Sequence, residues 1–218
     1  YVYICENETI NGTTWHKLPN TKGHVLVADQ SSMFLSRPCN VADYGLIWAG
    51  VQKNVGPAGM SVAIIREDLL RDDLDPKVPA YLRYKLHADN DSMYNTPPCY
   101  TIYIAGLVYK WALKNGGLTA MKERNEKKAK LLYDYLDSSK LFKPTADKKY
   151  RSMMNVCFVT GDADLDKKFC SEAAAAGLSN LKGHRSVGGM RASIYNAMPY
   201  EGVEALVAFM KKFEAENA

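Results

Sequence analysis

Short apolar runs separated by polar turns fill the first third of the chain, a pattern that predicts buried β-strands. Four such strands are predicted, at residues 1–5, 25–28, 44–51 and 60–65. Asp29 directly follows the second run, and Lys53 closely follows the third. If these two strands are parallel, both side chains reach the same edge of a sheet, which is where α/β folds place their ligands.

Helical periodicity replaces this pattern in the middle of the chain. Pro97 and Pro98 stand in the first turn of a long apolar helix, where proline is tolerated, and Gly116-Gly117 ends it. An amphipathic helix over 118–136 follows, with its apolar residues on one side. Two polar segments before Pro97 are expected to be irregular, namely a loop with one helical turn at 66–79 and a loop or edge strand at 81–93.

The last part of the chain predicts a smaller α+β module. Its expected elements are strands at 155–160 and 190–196 and helices at 164–177 and 199–216. Gly177 is well suited to end the first of these helices. We therefore predict an α/β fold in which residues 1–117 belong to a large domain with a mainly parallel sheet. Residues 118–218 are predicted to form a small C-terminal domain.

Composition narrows the classes of protein that this chain can be. With 218 residues, 47% hydrophobic and 24% charged, it is an ordinary globular chain that can bury a substantial core. The net charge of +4 comes without a long basic tract, so nucleic acid is not expected as a partner. No apolar stretch approaches membrane-spanning length, so a membrane is not expected either. Five scattered cysteines without CxxC spacing favour free thiols and a cytosolic location, and they argue against a metal site.

Lys53 and Asp29 are the residue types that pyridoxal phosphate (PLP) chemistry requires. That cofactor needs an amine to bind its aldehyde and a carboxylate to keep its ring nitrogen protonated. The alternative is that neither residue binds a cofactor, because most lysines are surface charges and an aspartate after a strand is often a cap or turn residue. The segments on either side of Lys53 favour the PLP interpretation, since they are a predicted strand and a Gly-Pro-Ala-Gly turn that leads into another apolar run.

Two further segments are candidates for binding anions. Asn95 and Thr96 precede a predicted helix, and a helix N-terminus binds phosphate through its free N–H groups, although Thr96 would equally serve as an ordinary N-cap. Residues 182–191 gather four potentially cationic side chains and three glycines that let a backbone approach a ligand. Arg191 opens a predicted strand and is suited to clamp a carboxylate, although a solvated basic loop is the alternative.

These motifs resemble the phosphoserine aminotransferase family of the fold-type I, class-V, PLP-dependent aminotransferases. The resemblance covers the chain from end to end, and the strings that carry it are Asn7-Glu8-Thr9-Ile10-Asn11-Gly12, Ala28-Asp29-Gln30-Ser31-Ser32, Ala49 to Gly59, Asn95-Thr96-Pro97-Pro98 and Gly183 to Arg191. It implies that residues 1–117 are part of the PLP-binding large domain.

The resemblance also implies roles for the cofactor-binding residues. Lys53 would form the Schiff base with PLP, and Asp29 would pair with the pyridine nitrogen. Thr9 would hydrogen-bond the phenolic oxygen, and Gln52 would reach the phosphate. The segment Asn95-Thr96 would contribute to the phosphate site of a neighbouring subunit, which implies a homodimer with a shared active site.

On the substrate side, the resemblance assigns Arg191 to the substrate α-carboxylate. His184 and Arg185 would hold the substrate's phosphate or side-chain carboxylate. The implied reaction is reversible transfer of an amino group between glutamate and 3-phosphohydroxypyruvate, which gives O-phospho-L-serine and 2-oxoglutarate.

One departure from the family leaves other interpretations open. The chain opens at Tyr1 within a predicted strand and lacks the family's N-terminal portion, so we expect the C-terminal part of a longer protein. The alternatives are another small-substrate aminotransferase of the same fold, or a catalytically incompetent fragment that acts only as a dimerising module.

Overall fold

The computed structural model describes residues 1–217. Within them the strands are β1 (Val2–Cys5), β2 (Asn7–Glu8), β3 (Thr13–Thr14), β4 (Leu26–Asp29), β5 (Leu46–Gly50), β6 (Ser61–Ile65), β7 (Lys143–Pro144), β8 (Asn155–Val159) and β9 (Met190–Ser193). The α-helices are α1 (Tyr84–Asp89), α2 (Cys99–Lys114), α3 (Gly117–Ser138), α4 (Ala163–Ala175) and α5 (Tyr200–Asn217).

A four-stranded sheet in the order β1-β4-β5-β6 carries the two principal candidate residues. Strands β1, β4 and β5 are mutually parallel, and β6 is antiparallel to β5. In this register Asp29 lies between Cys5 of β1 and Trp48 of β5. The parallel pairing of β4 and β5 confirms that Asp29 and the start of the Lys53 loop lie at the same edge of the sheet.

Residues 81–93 differ from their expected conformation. A 3₁₀-helix at Ala80–Leu82 is followed directly by α1, so the prediction of a loop or edge strand was wrong. Lys85 and Asp89, four residues apart, form an ion pair at 2.7 Å that supports the helical turn. The preceding polar segment holds the single helical turn predicted for it, at Glu67–Leu69.

Helices α2 and α3 form where the periodicity predicted them. Gly116 and Gly117 have φ angles of +94° and +68°, a left-handed turn that glycine adopts without steric cost. The apolar side of α3 is buried, at Met121, Ala129, Leu132 and Leu136. Gly177, at φ +87°, follows α4 as the predicted C-cap.

A second, antiparallel sheet in the order β7-β8-β9 packs against α3, α4 and α5. Strand β9 ends three residues before the predicted limit of 196. The reason is that the backbone bends toward α3, where the Lys128 ammonium donates hydrogen bonds to the carbonyl oxygens of Ile194, Tyr195 and Met198 at 2.7–3.0 Å. The segment that follows β9 is thus held against α3.

Two hydrophobic clusters form the core. One joins the first sheet to Ala105 of α2, and the other joins the second sheet to α3, α4 and α5. A division into domains near Gly117 agrees with this arrangement and stays a prediction. Over residues 1–217, no helix has both the length and the apolar character needed to cross a membrane.

Candidate active site

Lys53 lies in a tight loop that follows β5. The loop is closed by backbone bonds from Val55 N and Gly56 N to Val51 O, at 3.1 and 2.9 Å. Val51 and Val55 are buried, so the half-buried lysine projects from an anchored loop. Its Nζ donates to Thr9 Oγ1 at 2.7 Å. A loop held in this way limits the directions that the amine can take.

Burial lowers the pKa of the Lys53 amine below its usual value. The negative charges of Asp29 and Glu8 oppose this effect, as does Cys5 when its thiol is ionised, while the positive charge of Arg191 adds to it. A lower pKa raises the fraction of neutral amine, which is the nucleophilic form. Asp29 ends β4 and Arg191 lies in β9, so the two charges that act on Lys53 come from different strands.

Asp29 is the last residue of β4 and is half-buried. Its Oδ1 accepts a hydrogen bond from Ser31 N at 2.8 Å, whereas Oδ2 accepts none from residues 1–217. An ionised carboxylate can accept several such bonds, so Oδ2 is available to a cationic or N–H donor. Asp29 therefore combines a fixed position with a free oxygen.

Arg191 approaches the same place from β9. Its guanidinium NH1 lies 3.4 Å from Thr9 O, and its buried Nε has no partner among the described residues. A buried N–H without an acceptor is costly, and a carboxylate that binds a guanidinium through two oxygens would satisfy it. Thr9 thus contacts both cations, the Lys53 amine through its hydroxyl and Arg191 through its carbonyl.

Gln52 is exposed and lies directly before Lys53. Its side chain folds back over Gly50, where an added Cβ would lie 2.7 Å from Gln52 Oε1. Gly50 N in turn donates to Ser31 Oγ at 2.9 Å, which links the end of β5 to the turn after Asp29. The phosphate-binding role of Gln52 stays a prediction.

His184 and Arg185 lie in a loop closed by a bond from Gly183 N to Gly189 O, 2.8 Å long. His184 is half-buried, with Nδ1 2.7 Å from Ser186 Oγ, and Arg185 is exposed. A Cβ on Gly183 would lie 2.0 Å from the carbonyl oxygen of Gly188. The loop's own backbone therefore requires glycine at position 183, and the approach of a ligand to this loop stays a prediction.

Asn95 and Thr96 lie apart from this cluster. Both are exposed, and neither forms a hydrogen bond with Lys53, Asp29, Thr9 or Arg191 in the part of the chain described here. The N-cap of α2 is Pro98, without a side-chain cap, so Thr96 does not serve as an ordinary N-cap. That Asn95 and Thr96 contribute to the cofactor-phosphate site of a neighbouring subunit stays a prediction.

Cys5 belongs to the site, although sequence reasoning did not single it out. It is the register partner of Asp29 in β1. Partial burial of the thiol and then the charges of Asp29 and Glu8 raise its pKa, which the Lys53 amine opposes. The available signal was its position at the end of a strand adjacent to that of Asp29.

Residues 1–206 match the class-V aminotransferase family model. The chain belongs to the class-V aminotransferases. Within that class, its similarity is to phosphoserine aminotransferases. It is 56% identical to the phosphoserine aminotransferase of Nitrosomonas europaea, over an alignment that covers 100% of this chain and 61% of that protein.

Solved structures agree with the fold as well. The phosphoserine aminotransferase from Bacillus circulans subsp. alkalophilus superimposes with a TM-score of 0.97 at 44% identity, covering 100% of this chain and 60% of that one. A PLP-bound phosphoserine aminotransferase from Trichomonas vaginalis gives 0.93 at 44% identity, covering 97% and 60%. These relatives confirm the predicted family and the α/β fold. The chain spans about three fifths of their length and matches their C-terminal part.

Proposed function

We propose that the gene product is a PLP-dependent phosphoserine aminotransferase. It would transfer an amino group reversibly between glutamate and 3-phosphohydroxypyruvate to give O-phospho-L-serine and 2-oxoglutarate. The observation that carries the proposal is that Thr9 contacts both the Lys53 amine and the Arg191 guanidinium, whose buried Nε has no partner among residues 1–217, while Asp29 lies at the same sheet edge as the Lys53 loop. Support also comes from relatives of that name at 50–56% identity.

The residues present fit PLP, because the free oxygen of Asp29 and the amine of Lys53 match its two reactive ends. PLP supplies an aldehyde that captures amino groups and a ring that accepts an electron pair. Lys53 Nζ would bind the aldehyde carbon and later carry a proton to and from the substrate α-carbon, a role favoured by its lowered pKa. Asp29 would keep the ring nitrogen protonated. Thr9 would turn its hydroxyl to the phenolic oxygen, and Gln52 would contact the phosphate.

Substrate binding would fall to the cations on the other side of Thr9. Arg191 would receive the α-carboxylate, which would satisfy its buried Nε. His184 and Arg185 would contact the phosphate of the phosphorylated substrate or the side-chain carboxylate of glutamate. Because the loop that bears them is closed on itself by Gly183 and Gly189, it would present both side chains without large rearrangement.

A second copy of the chain is the partner that we infer. Helix α2 and the residues before it expose a set of large apolar side chains, namely Met93, Tyr94, Tyr100, Tyr103, Leu107 and Leu113. An extended exposed apolar surface marks an interface. It is continuous with Asn95 and Thr96, which would then reach the PLP phosphate of the other subunit. We also infer a cytosolic location from the unpaired cysteines.

The full-length gene product, mixed with PLP and glutamate and offered a panel of keto acids, tests the function. We expect conversion of the cofactor to its amine form and a strong preference for 3-phosphohydroxypyruvate over its unphosphorylated analogue. Equal rates with both keto acids would favour another small-substrate aminotransferase. No conversion at all would favour the dimerising module, and a monomer in sedimentation analysis would contradict the shared site.

A further inference from the structure

Three buried asparagines meet at one turn beside the candidate active site. Asn54 Nδ2 donates to Phe34 O at 3.0 Å, Asn196 Nδ2 to Leu35 O at 2.9 Å, and Asn125 Nδ2 to Ser36 O at 3.0 Å. Three consecutive carbonyls are therefore held by side chains from three distant segments. We name the three asparagines, Asn54, Asn125 and Asn196, the amide clasp.

The members of the amide clasp also bind one another. Asn54 Oδ1 accepts a hydrogen bond from Asn196 N at 3.0 Å, and Asn196 Oδ1 accepts one from Asn125 Nδ2 at 2.8 Å. The exposed fractions of Asn54, Asn125 and Asn196 are 8%, 1% and 8%, so water does not compete for these bonds. A buried network of this kind holds its members in a single geometry.

The segments that the clasp joins are those that carry the candidate site. Asn54 directly follows Lys53, and Asn196 lies five residues after Arg191. The clasped turn at 34–36 lies shortly after Asp29. Asn125 belongs to α3, and Lys128 on the same helix holds the carbonyls on either side of Asn196.

Two local costs indicate that the clasp does not exist for stability alone. Leu35 has a φ of +62°, in the left-handed region that a branched side chain rarely adopts. Asn125 Oδ1 and Ser36 Oγ are buried without a partner among residues 1–217. Strain and unsatisfied polar groups persist where the surrounding structure holds them, and they concentrate at functional sites.

We propose that Asn54, Asn125 and Asn196 are positioning residues that set the distance between the Lys53 amine and the Arg191 guanidinium. The inference rests on the proposed function, in which one residue holds the cofactor and the other the substrate. Both side chains contact Thr9, so a shift of either the Lys53 loop or β9 changes their separation directly. Displacing a reacting group by about 1 Å costs on the order of a hundredfold in rate.

Two variants and one control test the clasp without the cofactor. Asn54→Ala removes the hydrogen bond from Asn196 N to Asn54 Oδ1. Asn196→Ala is the milder change, because its backbone N–H is kept. If Asn54→Ala does not fold, Asn196→Ala provides the test. Tyr135→Phe is the matched control, because it deletes a 2.6 Å hydrogen bond from a buried hydroxyl to Glu214, outside the clasp and the candidate site.

The first measurement is the pH dependence of Lys53 acylation in the cofactor-free gene product, followed by mass spectrometry. Because burial, and then the charge of Arg191, lower the pKa of Lys53, loosening the clasp should raise that pKa toward the ordinary lysine value. The control should leave it unchanged. An unchanged pKa in a folded clasp variant, or an equal rise in the control, would overturn the proposal.

The second measurement separates positioning from a simple loss of folded protein. In the loaded enzyme, the clasp variants should raise KM for both substrates and lower kcat/KM by about 10- to 100-fold. A merely destabilised enzyme would lose apparent kcat at unchanged KM, and that result would count against the clasp. If the wild-type protein shows no transamination, the proposed function fails, while the acylation measurement still decides the role of the clasp.

Discussion

Replacing Asp29 by asparagine removes one negative charge from the candidate site with little change of shape. The amide oxygen can still accept the bond from Ser31 N that Oδ1 accepts at 2.8 Å, so β4 and the turn after it should be preserved. The register with Cys5 depends on backbone bonds and is unaffected. We therefore expect Asp29→Asn to leave folding intact and to act on the chemistry.

The expected loss follows from the charge that the ring nitrogen would no longer face. An ion pair at about 4 Å with an effective dielectric constant of about 20 is worth roughly 4 kcal/mol. That energy corresponds to about three pKa units on the ring nitrogen. If only the protonated ring accepts the electron pair, turnover at neutral pH should fall by up to about a thousandfold, with the full factor reached where the pH lies above both ring-nitrogen pKa values. The pKa of Lys53 should also fall further, because the charge of Asp29 raises it.

Two assays check this expectation in the full-length gene product. Steady-state kinetics report the turnover, and pH-dependent acylation reports the Lys53 amine without cofactor. Asp43→Asn is the matched control, since Asp43 likewise accepts one hydrogen bond, from Asn40, but lies before the opposite end of β5. Unchanged turnover in Asp29→Asn, or an equal loss in the control, would refute the ring-nitrogen role.

Three further predictions concern other parts of the site and its support. Lys53→Ala should abolish the visible absorbance of lysine-bound PLP, and an unaltered spectrum would exclude Lys53 as the attachment point. Gly183→Ala should open the loop, because its Cβ would meet Gly188 O at 2.0 Å, and should raise KM several-fold. An unaltered KM would contradict this packing argument. Burial lowers the pKa of Lys128 to about 8, below the roughly 10.4 of an unfolded lysine, so its contribution to the free energy of unfolding should increase between these pH values. The contribution is the free energy of unfolding of the wild type minus that of Lys128→Met, each measured by urea unfolding across this pH range. A difference that does not change with pH would contradict the prediction.

The local pattern of apolar runs was sufficient to predict the positions of Asp29 and Lys53 in the candidate site. Asp29 and Lys53 each follow a continuous apolar run, and such runs in an α/β chain form parallel strands whose ends share an edge. The helix over Tyr84–Asp89 was missed for a local reason too. Its six residues are too few to show an apolar periodicity, and the Lys85–Asp89 pair that supports it resembles an ordinary polar loop.

The position of Arg191 beside Thr9 lies beyond any such pattern. The two residues are separated by 182 positions, and their contact depends on how β9 of the second sheet meets the β2–β3 hairpin. Sequence reasoning alone indicated that Arg191 is suited to clamp a carboxylate, and its assignment to the substrate α-carboxylate came from the family resemblance. The structure adds the buried, unpartnered Nε, which a surface arginine would not have.

Long-range polar contacts also explain why the amide clasp escapes prediction. An asparagine carries no periodic signal, and each of Asn54, Asn125 and Asn196 taken alone would be assigned to a turn or a helix surface. What the three asparagines share is the turn at Phe34, Leu35 and Ser36, since each donates a hydrogen bond to one of its three carbonyl oxygens. The candidate residues Asp29 and Lys53 are therefore predictable from strand ends, whereas the separation that we propose for Lys53 and Arg191 depends on buried amides that only the folded chain brings together.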